Sequence, residues 1–486
     1  MFSDQILHKL QKKESKPWIF SDTGTKTRAN VLEDMESLKT KLLASGLPTL
    51  RHLIVGIAMK TSYEFVVADL MCLANQSVSL PVPLEFDNDQ IHSLLKNVDI
   101  VLTRSNKDSE RLQKILPQKP VININQKEAF DLTTINPSQH HCIPDDIVKI
   151  IHTSGTTSEP KGVLIQESAL STLIDSLIEV FPKRNLQYLS ICPMSLLVEQ
   201  VFAIYLTLFT EGSLTILPES VKEFGSFEEN NHVYLDLMIK AQPNFMYLAP
   251  NILETLNQLP SLEGIPKQAY FITGGAKVNH DTLGDLHDKG ILVYEGYGLS
   301  ETTSVVSINT PQNYKIGSAG KILPHLSYKI VKGELLLKGK SLCAGYFKTD
   351  DSSCEIDSQG YLHTGDLVDV DKDQHLIIKG RRKNLITLSN ARNISPEWVE
   401  SKLKKYSEIK DSIILGEGQD FITAIILSKG KNIEKIIDNV NQELPGFAKI
   451  RDLLCINNSD HFYKKYFTVT GRPKRTLLHK EYIKNA

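Results

Sequence analysis

Along most of the chain the apolar positions alternate between two rhythms. From Asn30 to Gly46, residues Val31, Leu32, Met35, Leu38, Leu42 and Leu43 fall on one helical face, and Gly46 supplies the stop. His52 to Met59 is a nearly unbroken apolar run, the pattern of a buried strand. Ser62 to Ala74 returns to helix, and Ser77 to Val82 reads as a strand ending at prolines. Gln90 to Asn97 is a predicted helix and Ile100 to Thr103 a strand. The same order recurs further on: helix Ser168 to Phe181, strand Leu186 to Cys192, helix Leu197 to Phe209, strand Ser213 to Leu217. It returns at 233–248 and 269–273. Strands alternating with helices of this length predict βαβ units and a parallel sheet.

From about Pro311 to Lys379 the texture changes. Short strands (Leu335-Leu336-Leu337, Tyr361-Leu362-His363, His375 to Lys379) lie between Gly and Asp turns. After Gly380-Arg381-Arg382-Lys383 a compact α+β segment runs to Ala486. The predicted fold is therefore α/β. A large N-terminal domain of mixed βαβ sheets spans 1–380, with a small β-rich subdomain over about 311–380. A smaller, mobile α+β C-terminal domain spans 381–486. A chain of 486 residues is too long for a single core, which agrees with that division.

Composition narrows the function. Hydrophobic content of 41% and charged content of 23% are ordinary for a soluble globular protein. A formal net charge of −2 offers no global field for nucleic acid or an anionic membrane surface, so neither is expected as a partner. The cysteines (Cys72, Cys142, Cys192, Cys343, Cys354, Cys455) are scattered with no Cys-x-x-Cys pair. This argues against a disulfide framework or structural zinc, and for a reducing compartment. Met1 to Trp18 is polar and lysine-rich without the apolar segment of a signal peptide, and no run approaches the roughly 18 apolar residues of a membrane span. The expectation is a soluble, cytoplasmic protein.

Four stretches carry candidate chemistry. The first lies between Ile147-Val148 and Val163-Leu164, where Thr153-Ser154-Gly155-Thr156-Thr157-Ser158-Glu159-Pro160-Lys161-Gly162 forms a loop. Glycines let backbone N–H groups approach an anion, hydroxyls donate hydrogen bonds or hold a metal, and lysine neutralises charge. The composition suits polyphosphate, though a polar hairpin loop has it too. It is not the Walker pattern, which needs Gly-Lys-Ser/Thr opening a helix. The second is Phe271-Ile272-Thr273-Gly274-Gly275-Ala276, a strand entering a tight turn, either a plain turn or a ligand site at a strand end. In the third, Tyr294-Glu295-Gly296-Tyr297-Gly298-Leu299-Ser300-Glu301, an aromatic between glycines can present its face to a base. Glu301 can hold Mg²⁺, which prefers oxygen ligands. In the fourth, Gly360 to Leu367, Asp366 can accept both hydroxyls of a ribose or serve as a turn residue.

Ser154-Gly155-Thr156-Thr157 followed by Pro160-Lys161-Gly162 resembles the phosphate-loop signature of the adenylate-forming superfamily, with Ser158 at a family glycine. That group holds acyl-CoA synthetases, adenylation domains of peptide synthetases, and luciferases. Tyr297-Gly298-Leu299-Ser300-Glu301 is similar to its Tyr-Gly-x-Thr-Glu motif, and Thr364-Gly365-Asp366 to its Thr-Gly-Asp motif. The matches keep family order from 150 to 475. The resemblance implies that Thr153 to Thr157 and Lys161 hold phosphates, with Mg²⁺ on Thr156 and Glu301. It implies that Gly274, Gly275 and Ala276 line the adenine slot beside Glu295, Gly296, Gly298 and Ser300, with Tyr297 stacked on the base. Asp366 would bind ribose, Arg381 would touch ribose and phosphate, and Lys383 would be the pivot of the small domain. The implied reaction joins a small-molecule carboxylic acid to the α-phosphate of ATP and passes the acyl group to a thiol, on CoA or on the phosphopantetheine of an acyl carrier protein.

Cys192-Pro193-Met194-Ser195-Leu196-Leu197-Val198-Glu199-Gln200-Val201-Phe202 resembles the Leu-Pro-Leu-x-His-x-x-Glu segment of long-chain acyl-CoA synthetases, with Leu196 in place of histidine. Leu196, Val198, Glu199, Phe202, Tyr247 and Gly274 are the expected wall around the acid. No cation in the segment would pair with an amino acid's carboxylate, so an apolar acid is expected, although an amphipathic core helix explains the leucines equally. Two segments depart from the family. Ile386 to Glu397 has Thr387 for lysine and Asn390 for glycine, which bears on CoA as acceptor. In Thr468-Val469-Thr470-Gly471-Arg472-Pro473-Lys474-Arg475, Arg472 replaces the catalytic lysine. In an extended tail Lys474 points the same way, so either joins Lys161 and Glu301 as a catalytic candidate. Basic residues Lys449, Arg451, Lys464, Lys465 and Lys480 form a solvated face or a dock for an acidic carrier protein. A non-catalytic acyl- or nucleotide-binding homologue is the alternative from another class.

Overall fold

The computed structural model describes the chain apart from residues 13–15, 127–129, 136–142, 154–160, 182–184, 225–230, 276–277, 348–353, 390–391, 429, 431, 457–458, 468–472 and 484–486, and apart from the side chains of 153, 251, 459 and 460. Two large open sheets organise the N-terminal part. In the first, Ile54–Ile57 lies at the centre, parallel to Val78–Pro81 on one side and to Ile100–Thr103 on the other. Val78–Pro81 leads on to Ile147–Thr153, which turns back antiparallel into Lys161–Gln166. The short strand Tyr346–Phe347 closes that edge, pairing Tyr346 with Val163 and Phe347 with Gly162. In the second sheet the strands Val293–Tyr297, Tyr270–Thr273, Phe245–Tyr247, Gln187–Ser190 and Ser213–Ile216 run parallel, with antiparallel pairs at both ends. Each central strand is apolar on both faces because both faces are covered.

The helix Tyr63–Ala74 shows why. Ser62 caps it by accepting the N–H of Phe65 at 3.1 Å, and every residue from Phe65 to Leu73 is buried. It shares one apolar core with Val55 and Ile57 of the first sheet and with Tyr188, Leu214 and Phe245 of the second. Inside that core Asp69 pairs with Lys149, both essentially unexposed. Ser79 bonds both partners at 3.0 Å, and Tyr205 donates to Asp69 at 2.5 Å. A buried pair survives only when its remaining hydrogen-bonding groups are met, and here two hydroxyls meet them.

The helix expected over Leu197 to Phe209 is present, but Gln200–Leu206 within it is a π-helix, the segment that carries Tyr205. The polar N-terminal stretch also forms structure. Phe2–Gln11 is a helix burying Phe2, Ile6 and Leu10, and Pro17–Ser21 joins the second sheet parallel to Ser213–Ile216. The β-rich region is an antiparallel sheet in the order Leu326–Val331, Glu334–Gly339, Leu362–Val370, Leu376–Arg381. Arg381 thus ends a strand of this sheet. Beyond it the smaller C-terminal domain has its own apolar cores around the strands Ile409–Leu415, Ile422–Ser428 and Ile450–Ile456. Among the described residues no helix is long and apolar enough to cross a membrane.

Candidate active site

A cleft of about 2830 Å³ opens where both large sheets, the β-rich sheet and the C-terminal domain converge. Lys161 reaches it from the first sheet, and Gly274, Gly275 and the run from Glu295 to Glu301 from strand ends of the second. Asp366 and Arg381 enter from the β-rich sheet and Lys383 from the junction. Residues far apart in sequence are thus brought to one place. Ser154, Gly155, Thr156, Thr157, Ala276 and Arg472 lie outside the described residues, as does the side chain of Thr153.

At one corner three side chains meet. The Tyr297 phenol donates to Asp366 Oδ2 at 2.6 Å, and Arg381 Nε lies 2.7 Å from Asp366 Oδ1. The cause is register: Asp366 and Arg381 are direct partners across antiparallel strands. Asp366 is 2% exposed, and its N–H is accepted by Thr364 Oγ1, which itself donates to the Leu335 carbonyl. Burial first, and the Asp366 carboxylate next, push the Tyr297 phenol well above its ordinary range, so it stays a donor.

At a second corner Glu301 sits in the turn Ser300–Thr302, its carbonyl accepting the Cys343 N–H at 2.8 Å. Tyr346 donates to Glu301 Oε1 at 2.8 Å, and Lys161 Nζ lies 5.0 Å from the centre of the Tyr346 ring. Tyr346 thus links the loop lysine to the acidic turn. Nothing in its own sequence neighbourhood marks it; only the pairing with Val163 places it there. The donors suit Mg²⁺. Glu301 offers hard oxygen, and the described residues hold no cluster of three or more metal-binding side chains. An ion kept by one carboxylate, waters and phosphates needs none.

Two glycines in the turns expected to line adenine leave room for neighbouring backbone. A Cβ on Gly274 would lie 2.7 Å from the Gly296 carbonyl oxygen, and one on Gly298 would lie 1.5 Å from that of Ser304. Tyr247 braces the first turn, donating to the Gly274 carbonyl at 2.7 Å, and Glu295 accepts the Gly317 N–H at 3.0 Å.

The expected acyl wall divides. Leu196, Val198, Phe202 and Tyr247 line the cleft, with Phe202 edge-on to Phe245 at 5.3 Å. Glu199 does not line it. It is 0% exposed and accepts Tyr188 Oη at 2.9 Å and Ser190 Oγ at 2.5 Å, joining the helix to the strand Gln187–Ser190. Burial pushes its carboxyl up to about 8. Lys474 is also elsewhere. Its ammonium turns to the Lys465 carbonyl at 3.4 Å, because the residue heads the helix Arg475–Tyr482 instead of continuing an extended tail. Its neighbour Arg475 is half-buried and forks onto both oxygens of the buried Glu400 at 2.7 and 2.9 Å.

The family model for AMP-binding enzymes matches residues 7–347, and that for the AMP-binding enzyme C-terminal domain matches 383–484. The chain belongs to the AMP-binding enzyme family. Long-chain-fatty-acid–CoA ligase FadD15 of Mycobacterium bovis is 37% identical over 153 residues, 31% of this chain and only 25% of that protein's length. Peroxisomal OPC-8:0-CoA ligase 1 of Arabidopsis thaliana is 24% identical over 426 residues, 82% of this chain and 73% of that one. Among solved structures, o-succinylbenzoate CoA synthetase of Bacillus subtilis with its acyl-adenylate intermediate superimposes with a TM-score of 0.82 at 19% identity, covering 97% of both chains. ATP-bound MatB from Rhodopseudomonas palustris gives 0.82 at 21% identity, covering 99% of both. At such identities these likenesses establish the fold.

Proposed function

We propose that the protein is an AMP-forming ligase that activates an apolar carboxylic acid as its acyl-adenylate and passes the acyl group to the thiol of CoA. The observation that carries this reading is the Tyr297–Asp366–Arg381 cluster facing the Lys161–Tyr346–Glu301 corner across one cleft. The first offers a ring face, a carboxylate and a cation, the set that grips a nucleoside with its phosphate. The second offers a cation and a metal-binding carboxylate, the set that grips polyphosphate. Relatives named as fatty-acid–CoA ligases support the acceptor and the acid class.

The chemistry must bring two anions together and stabilise charge on phosphorus, which calls for positioning and cations more than for a protein nucleophile. An oxygen of the acid attacks the α-phosphorus, and the bond to pyrophosphate breaks. The thiol sulfur then attacks the acyl carbon, loses its proton, and the bond to AMP breaks. Asp366 accepts the ribose hydroxyls while Arg381 holds its carboxylate in place and sets positive charge toward the α-phosphate. Lys161 neutralises the outer phosphates. Glu301 would hold Mg²⁺, which supplies further neutralisation when bound. Leu196, Val198 and Phe202 exclude water from the acid. Arg472 is the proposed cation from the tail, since Lys474 is turned to Lys465.

Pyrophosphate exchange into ATP with a panel of fatty and aryl acids tests the first half-reaction. Exchange with at least one apolar acid is expected, followed by acyl-CoA when CoA is added. A product formed only on an acyl carrier protein would overturn the assigned acceptor. ATP binding without exchange for any acid would overturn the ligase reading.

A further inference from the structure

Cys343 and Cys354 have no part in the proposed reaction, yet their sulfurs stand 2.9 Å apart and both residues are buried. Neither lines the cleft, but each is tied to a different group that does. Cys343 starts a loop clamped to the Glu301 turn: its N–H donates to the Glu301 carbonyl, and Tyr346, three residues on, donates to the Glu301 carboxylate. Cys354 leads into the β-rich sheet. Ile356 bridges Leu362, and the carbonyl of Glu355 accepts the His363 N–H at 2.7 Å, on the strand that carries Asp366. A bond between the two sulfurs would tie the phosphate corner to the ribose corner.

We propose that Cys343 and Cys354 are a redox-active dithiol whose reversible disulfide slows adenylate formation. Disulfides inside reducing compartments are characteristically transient and regulatory, a role that fits a facing pair among the described, otherwise scattered cysteines. The effect on adenylation rests on the ligase reading above; formation of the bond does not.

The oxidant is a hydroperoxide. The Cys354 sulfur, as thiolate, attacks one peroxide oxygen; the O–O bond breaks, and the departing oxygen takes up a proton to leave as water or alcohol. The resulting sulfenic acid is attacked by the Cys343 sulfur, the S–O bond breaks, and water leaves with the thiol proton. Two electrons pass from the sulfurs to the peroxide. A dithiol reductant reverses the bond by exchange, ending as a disulfide itself. Closing from 2.9 Å to the roughly 2.05 Å of an S–S bond, with its preferred torsion, ties the loop bearing Tyr346 to the segment that leads into the β-rich sheet and constrains both corners. Misplacement of about 1 Å in a reacting site can cost about a hundredfold in rate.

The full-length protein is treated with hydrogen peroxide, alkylated and digested with trypsin without reduction. Trypsin cuts at Lys348, between the two cysteines, so a linked peptide is diagnostic. We expect that peptide by mass spectrometry, lost on dithiothreitol treatment, with exchange reduced at least tenfold by oxidation and restored by reduction. Cys343→Ser and Cys354→Ser should keep exchange and lose the sensitivity. Cys343→Ala and Cys354→Ala serve where a serine variant fails a thermal-melting check. Alkylation of both thiols under conditions that oxidise the exposed Cys455 would overturn the dithiol. A linked peptide with unchanged exchange would overturn its control of adenylation. Absence of exchange in the reduced wild type would strike the ligase reading alone, since the peptide still reports the bond.

Discussion

Asp366 is where single side chains matter most. It is almost fully buried, it is met by a phenol on one oxygen and a guanidinium on the other, and it lies at the edge of the cleft. Asp366→Ala should weaken ATP binding by about 2 kcal/mol, roughly thirtyfold, because a charged acceptor is lost. Tyr297→Phe keeps the ring face and removes one neutral donor, so about 1 kcal/mol is expected. Calorimetry of ATP binding to folded variants decides it: equal affinity in Asp366→Ala and wild type rejects the ribose role. Glu199 has a different signature. Its folded carboxyl titrates near 8, against 4.5 for an ordinary glutamate, so between those values the folded state holds a proton that the unfolded state releases. Stability should then be full in mild acid and fall as pH rises toward about 8, by a few kcal/mol. Glu223, buried and pushed up to about 7, adds a slope of the same sign. Melting temperatures from pH 5 to 9 should decline in the wild type and decline less in Glu199→Gln. Identical profiles would show that Glu199 is ionised in the folded protein.

At the scale of strands and helices, the legible part of the fold was the part with one uninterrupted signal. Ile54–Ile57, Val78–Pro81 and Ile100–Thr103 are short apolar runs, and of the helices between them Tyr63–Ala74 is apolar almost all round while Asn88–Leu95 buries one face. The helix Phe2–Gln11 was hidden because its buried apolar residues Phe2, Ile6 and Leu10 stand every fourth position among mostly polar ones, and Lys12, Lys13 and Lys16 just beyond it make the whole stretch read as polar. Site motifs were legible one at a time, but their joins were not. Asp366 and Arg381 read as two separate functions until strand register made them a pair, and Tyr346 has no motif at all. Glu199 was read toward the substrate because its spacing from Leu196 cannot say which face of a turn meets the cleft. Arg475, read as the end of a tail motif, is the clearest structural residue there. It links the helix Arg475–Tyr482 to Glu400 on Pro396–Leu403 and to the Ile414 carbonyl at 3.1 Å. Arg475→Met leaves Glu400 buried without its partner, which should destabilise the C-terminal domain by about 3 kcal/mol. Urea denaturation followed on that domain checks it; a loss below the roughly 1 kcal/mol typical of exposed pairs would mean the pair is solvated.

For the whole molecule the question is how one cleft serves two half-reactions. We propose that the C-terminal domain turns about the junction at Lys383 between them. Among the described residues, polar contacts cross the junction: Ser395 Oγ donates to the Lys379 carbonyl at 3.1 Å, and Asn279 donates to the Lys404 carbonyl at 3.2 Å. Hydrogen bonds of this kind exchange readily for others, whereas an apolar interface would resist rotation. The backbone is suited to the change. Gly380 has φ of +151°, a conformation side chains disfavour, and a Cβ there would come within 2.5 Å of Ser395 Oγ. Lys383 follows in the short turn Arg382–Asn384, outside the sheet that holds Arg381. Proline at 383 fixes φ near −65° and removes the N–H, so it should hold the junction in one of its two settings. Lys383→Pro is therefore expected to depress one half-reaction at least tenfold more than the other, when pyrophosphate exchange is compared with acyl transfer from preformed acyl-adenylate to CoA. Lys383→Ala, which leaves the backbone free, controls for loss of the side chain and should not show the split. Equal depression of both half-reactions by proline, or none, would place the pivot elsewhere. A split reproduced by alanine would make Lys383 a contact to substrate instead of a hinge.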